Sequence, residues 1–153
     1  MAKKITAELK EMEAFTVHGV WARSSYYSAD TEWENLMRLY TAVTQDKGTR
    51  YVIRENVDAK MDCDLFCGGN TANEQTSDVT VPEGLYVCAR VKPKFGLFWG
   101  GALDETDLYL FKTWPEESGY ELDDFRMEIR DMTGKDPYVD ILYKIKEPET
   151  KNE

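Results

Sequence analysis

Leu85 to Lys92 reads LYVCARVK, and it decides the fold because it restarts a pattern met once before. Its Val87-Cys88-Ala89-Arg90 falls at the same place in its half of the chain as Val20-Trp21-Ala22-Arg23 does in the other. The earlier stretch, Phe15 to Arg23 (FTVHGVWAR), alternates as a strand does, with Phe15, Val17 and Trp21 on one face. Ser24-Ser25-Tyr26-Tyr27-Ser28 breaks it. Trp33, Leu36, Met37, Tyr40 and Val43 then recur at helical spacing as one apolar stripe. Asp30 is the expected N-cap, Glu32 and Glu34 suit the positive end of the helix dipole, and Lys47-Gly48 is a stop signal. Two short strands come next, near Arg50 to Asn56 and Asp62 to Cys67, joined by Val57-Asp58-Ala59-Lys60.

Gly68 to Asp78 (GGNTANEQTSD) is polar and contains glycine, and reads as the connection between halves. After Leu85 to Lys92 the order repeats. Leu103, Asp107, Leu110, Phe111 and Trp114 set out a second helix whose stripe includes one polar position, and Pro115 is expected to end it. Strands at Phe125 to Arg130 and Tyr138 to Ile145 close the half, with Val139-Asp140-Ile141 corresponding to Cys63-Asp64-Leu65. The order strand, helix, strand, strand thus occurs twice, which is the mark of an internal duplication. The expected fold is α+β: one domain over 1–153, with repeat one at about 10–68 and repeat two at about 80–147. Two such units join into an antiparallel sheet with both helices on one side and a ligand cleft between the halves. The side without helices is expected to form that groove.

The bulk numbers are consistent with one folded domain. The chain has 153 residues, 42% of them apolar and 12% aromatic, too rich in core formers for a disordered segment. Acidic residues number 29 against 19 basic ones, a formal charge of −10, and such a field repels nucleic-acid backbones. No apolar run approaches the roughly 20 residues of a membrane span. Met1-Ala2-Lys3-Lys4 is followed by no apolar core of a signal peptide. Cys63, Cys67 and Cys88 cannot all pair, so free thiols and a cytoplasmic location are expected. His18 is the one histidine, which argues against a metal site and reads as an ordinary strand residue. No cofactor is expected: the chain has no nucleophile elbow and no phosphate loop. Phe95-Gly96-Leu97-Phe98-Trp99-Gly100-Gly101 has the wrong glycine spacing for a phosphate cradle and reads as an aromatic lip.

The chemistry-bearing residues are aromatic and acidic. Of four Trp, nine Tyr and six Phe, most belong in the core, Trp33 and Trp114 included. Trp21, Tyr26, Trp99 and Tyr143 lie at strand ends, on the lip or in the last strand, where they could stack on a ligand. Glu128 sits mid-strand in Phe125-Arg126-Met127-Glu128-Ile129-Arg130. Met127 and Ile129 are expected to face the helices and Glu128 the groove, with Arg126 and Arg130 beside it on the same face. Two readings stay open for Glu128: a surface ion pair with those arginines, or a pocket carboxylate that attracts an organic cation in concert with aromatic rings.

Several stretches resemble, in order, the GyrI-like small-molecule-binding domains, the effector-binding modules of multidrug-sensing transcription regulators. They are Phe15-Thr16-Val17-His18-Gly19-Val20, Trp33-Glu34-Asn35-Leu36-Met37, Pro82-Glu83-Gly84-Leu85-Tyr86-Val87, Trp114 with Ser118-Gly119-Tyr120-Glu121, Met127-Glu128-Ile129, and Asp140-Ile141-Leu142-Tyr143. The resemblance runs over nearly the whole chain and implies a duplicated fold with a central ligand cleft. It implies that Glu128 matches the buried glutamate by which drug-sensing members bind lipophilic cations, and that Tyr143 matches a pocket-lining tyrosine. Arg130 departs from the family pattern, which has an aromatic residue there. The function implied is that of a stand-alone binder of amphipathic, cationic aromatic compounds, with Glu128, Tyr143, Trp99, Trp21 and Tyr26 as ligand-binding residues. The resemblance also implies two alternatives. One is a hydrolase of cyclopropane-type alkylating compounds with Glu128 as general base; the other is a protein partner such as DNA gyrase.

Overall fold

Residues 5–25, 29–93, 99, 101–131 and 135–147 are described by the structure, a computed structural model. Eight strands are present: β1 (Glu8–Met12), β2 (Phe15–Ser25), β3 (Arg50–Glu55), β4 (Asp62–Gly69), β5 (Ser77–Val81), β6 (Gly84–Val91), β7 (Leu122–Asp131) and β8 (Tyr138–Ile145). Helix α1 spans Ala29–Thr44. The second helical segment is α2 (Ala102–Leu108), a π-helical turn (Tyr109–Thr113) and α3 (Trp114–Ser118). The α+β fold with helices on one side of an antiparallel sheet is as the sequence pattern predicts.

The strand order is β1-β6-β8-β7-β3-β4-β2-β5, antiparallel throughout. Each half contributes three adjacent strands, and the halves meet where β3 pairs with β7, with Val52 opposite Glu128 and Ile53 opposite Met127. The flanking strands β1 and β5 are absent from the sequence reading. Their sequences, ELKEM and SDVTV, are short and mostly exposed, so they carry little of the alternation that marks a half-buried strand. They nevertheless shape the sheet. β1 runs into β2, and β5 into β6, and the two long arms pair in one unbroken register from Glu8–Cys88 through Met12–Gly84 and Phe15–Val81 to Gly19–Ser77. The ends of the strand order are thereby tied together and the sheet curls into a half-barrel.

This curl corrects the expected placement of the groove. Val17, Ile53, Phe66, Val81, Tyr86, Met127 and Leu142 form a core cluster on the face without helices, each at 0% exposure. Burying a large apolar side chain contributes roughly 1.5–3 kcal/mol, so this face is the packed inside of the half-barrel and not an open groove. The opposite face carries the helices: Trp33 and Leu36 of α1 pack on Val52, Leu65 and Cys67, while Leu110 and Trp114 pack on Val87, Ala89, Val139, Ile141 and Tyr143. Met127 and Ile129 therefore point away from the helices, and Glu128 points toward them, the reverse of the expectation. The grouping of side chains by strand parity holds; the face that the helices cover is the other one.

Two further differences are local. The helical segment does not stop at Pro115. The π turn leads into α3 without a break, with Pro115 among its first positions; Gly119, at φ 80°, then ends the segment in the left-handed conformation. Helix α1 begins at Ala29, one residue before Asp30, and ends at Thr44, ahead of the Lys47-Gly48 signal.

Where β2 crosses β4, Gly19 and Gly68 lie opposite each other, and a Cβ on Gly68 would stand 2.1 Å from the His18 carbonyl oxygen. Only glycine allows that approach. All three cysteines are free; burial pushes the Cys67 thiol up to about 12 and the Cys88 thiol to about 11, so neither is a ready nucleophile. His18 bonds Asp78 across β2 and β5 through Nδ1 at 2.6 Å. Among the described residues, no helix is long and apolar enough to cross a membrane.

Candidate functional site

The seam between the halves, on the helix face, gathers most of the charge that the sheet buries. Residues 50, 52 and 54 of β3 and 126, 128 and 130 of β7 share this face, and four of the six are arginines: Arg50, Arg54, Arg126 and Arg130. The sequence spreads its other arginines along both halves, so this concentration is a product of the fold.

Glu128 is the centre of the cluster, at 2% exposure. Its Oε1 accepts from Arg130 Nε at 2.8 Å and Nη2 at 2.5 Å. Its Oε2 faces Arg126 Nη1 at 2.7 Å and Arg54 Nη2 at 3.6 Å. Burial alone would push the Glu128 carboxyl up. The guanidiniums of Arg126, Arg130 and Arg54 more than reverse this and hold it well below the usual carboxylate range. Glu128 is thus ionised, and both of its oxygens are engaged by the protein. Of the two readings left open by the sequence, the pairing with Arg126 and Arg130 is present, but in the interior and not at the surface.

The arginines are held in turn by aromatic rings and a second acid. The Arg130 guanidinium lies 4.0 Å from the Trp33 ring centroid, so α1 covers the cluster from one side. Arg126 Nε donates to Asp107 Oδ1 at 3.0 Å, and the Tyr143 hydroxyl donates to the same oxygen at 2.6 Å, so α2 closes it from the other. The Arg126 guanidinium also sits 5.7 Å from the Tyr143 ring. Burial pushes the Tyr143 hydroxyl up, Arg126 opposes this and Asp107 adds to it, so the group stays a neutral donor. For Arg126, burial favours loss of the proton, but Glu128 and Asp107 keep it firmly charged.

The expected site residues divide accordingly. Glu128 and Tyr143 are brought together through Arg126. Trp99 packs, half-buried, against the core cluster that contains Tyr143. Trp21 lies apart: it is on the opposite face of the sheet, its ring 5.2 Å from Phe66, beside a depression of about 450 Å³ lined also by Arg23, Asn56 and Asp64. Tyr26 lies outside the described residues, as do Phe98 and most of the expected lip. Trp33, read as core, is core and also covers Arg130. Asp107 and Arg54 are not among the expected site residues. Asp107 carries a signal, being the one polar residue on an otherwise apolar helical stripe; nothing in the sequence distinguishes Arg54 from a surface arginine.

No family model matches the chain, and no curated protein matches its sequence. Solved structures do match its fold. The C-terminal domain of EcmrR aligns with a TM-score of 0.66 at 14% identity, over 94% of this chain and 99% of that one. SAV2435 bound to tetraphenylphosphonium aligns with a TM-score of 0.66 at 9% identity, over 92% and 94%. A hydrolase from Listeria innocua aligns with a TM-score of 0.52 at 8% identity, over 95% and 94%. The chain shares the fold of these three structures over 92–95% of its length.

Proposed function

We propose that this chain binds amphipathic aromatic small molecules at the seam between its two halves, on the helix face. The observation that carries this reading is the cluster around Glu128, a buried set of polar groups flanked by Trp33 and Tyr143 between two helices. Ligand sites in folded domains combine such apolar walls with a few convergent polar groups. One structure of the same fold, SAV2435 bound to tetraphenylphosphonium, supports it. Trp99 and Tyr143 are the proposed stacking residues. Trp21 is not part of the proposal, because it lies on the other face.

Hydrolysis has weaker footing. A general base works best with a pKa near the working pH, and Glu128 is held far below that by its arginines. A gyrase-binding role rests on the resemblance alone.

Titration of the intrinsic tryptophan fluorescence tests the binding reading. Trp33 covers Arg130 at the seam, so a bound aromatic compound should give a saturable change. Flat titrations across a panel of cationic, neutral and anionic triaryl compounds would sink it.

A further inference from the structure

An organic cation needs two things from a site of this kind: a carboxylate with charge to spare and aromatic faces open to it. Here both are already used. The two Glu128 oxygens are bridged by guanidinium nitrogens at 2.5, 2.7 and 2.8 Å, with Arg54 adding a further contact at 3.6 Å. One face of each of two rings is taken as well, Trp33 by Arg130 at 4.0 Å and Tyr143 by Arg126 at 5.7 Å. For Glu128 to turn to an incoming cation, it would have to leave arginines that are themselves buried, at 5% side-chain exposure for Arg130 and 11% for Arg126. An unpaired buried guanidinium is strongly unfavourable, so that exchange is opposed from the start.

We propose that Arg126 and Arg130 stand in the cation position of this site, so that it takes aromatic ligands bearing an acceptor oxygen and not organic cations. This rests on the binding reading above and narrows its ligand class. A guanidinium carries five N–H donors and accepts nothing, so an arginine-lined floor is matched by a carbonyl, phosphoryl or carboxylate oxygen. Arg126 donates Nε to Asp107, while its Nη1 faces Glu128 Oε2 at 2.7 Å as an ion pair without a hydrogen bond, so its plane is fixed in the seam and Nη1 keeps an unmet donor. Arg130 lies over Trp33, so an approaching ligand meets the guanidinium where it would otherwise meet the open ring.

The test uses two triaryl probes of similar bulk on the unaltered protein, methyltriphenylphosphonium and triphenylphosphine oxide, followed by tryptophan fluorescence and calorimetry. The oxide is expected to bind about tenfold more tightly than the phosphonium. Equal affinities, or tighter binding of the phosphonium, would overturn the inference while leaving the binding reading intact. Binding of neither probe, together with a flat response to the wider panel, would overturn both. The variant Arg130→Leu removes one of the built-in cations and frees Glu128 Oε1, while Arg126 and Arg54 stay on Oε2. Its phosphonium affinity should rise about tenfold while its oxide affinity falls. A variant that folds, by circular dichroism, and shows neither change also overturns the proposal; if it does not fold, the probe pair on the unaltered chain decides.

Discussion

The first half of the sheet and the second are built to one plan and finished differently. Register makes the correspondence explicit. Arg23 pairs with Asp64 on β2 and β4, and Arg90 with Asp140 on β6 and β8, each as a cross-strand ion pair, at 3.2 Å and 2.8 Å. Counting inward from these pairs, Val52 opposite Cys67 corresponds to Arg126 opposite Tyr143, Arg54 corresponds to Glu128, and Gly19 opposite Gly68 corresponds to Tyr86 opposite Lys144. Both halves keep the outer ion pair. They differ at the seam, where the first half offers an arginine, a valine and a cysteine, and the second a glutamate, an arginine and a tyrosine. A duplicated unit needs its bracket twice to fold. It needs its charged centre once, and the seam is where the two copies face each other and can specialise.

Removing the charged centre should break that asymmetry most severely. Glu128→Gln leaves buried guanidiniums without their counter-ion and should cost about 3–5 kcal/mol in urea unfolding. Arg54→Gln, at the corresponding position, leaves Glu128 with Arg126 and Arg130 and should cost about 1 kcal/mol. Equal losses would mean the halves are not specialised at the seam. The same carboxylate predicts acid sensitivity. Its folded pKa is depressed, so the folded state holds fewer protons than the unfolded state in the acid range. The stabilisation is complete above the ordinary glutamate value of about 4.3 and is lost as pH falls below it toward the folded value. Stability of the unaltered chain should fall between about pH 5 and pH 2 more steeply than that of Glu128→Gln. Parallel pH profiles would remove Glu128 as the cause.

The close approach in the first half should respond next. Gly68→Ala forces a Cβ against backbone and should cost about 3 kcal/mol, whereas Lys144→Ala at the matching place in the second half should cost under about 1 kcal/mol. The smallest contrast concerns the shared bracket. Asp140 has a side chain 10% exposed against 38% for Asp64, so Asp140→Asn should cost about 1–2 kcal/mol while Asp64→Asn barely registers by thermal melting. If the order were reversed, burial would not be what sets the strength of these pairs.

The legibility of each element in the residues depends on what its pattern encodes. Alternation places the inner strands, β8 to the residue, because side chains on a strand switch faces with a period of two. The repeat puts Arg23 with Asp64 and Arg90 with Asp140 at matching sites. The flanking strands escape because five residues are too few for alternation to stand out, although Val79 and Val81 of β5 do face the core. Pro115 misleads because the π turn that accommodates it has no sequence signature comparable to a cap.

Local periodicity by itself determines the order of the helices and inner strands, the duplication, and the set of side chains sharing a face with Glu128, since these depend on neighbours within one strand or helix. Only the tertiary structure decides three other things: which face the helices cover, the closing of the sheet by the long arms, and the meeting of Arg54, Arg126 and Arg130 on one carboxylate. Each depends on contacts between segments far apart in the chain. Parity assigns side chains to two faces but cannot say which is inside, and the partners of a buried charge are chosen by the packing that removes it from water.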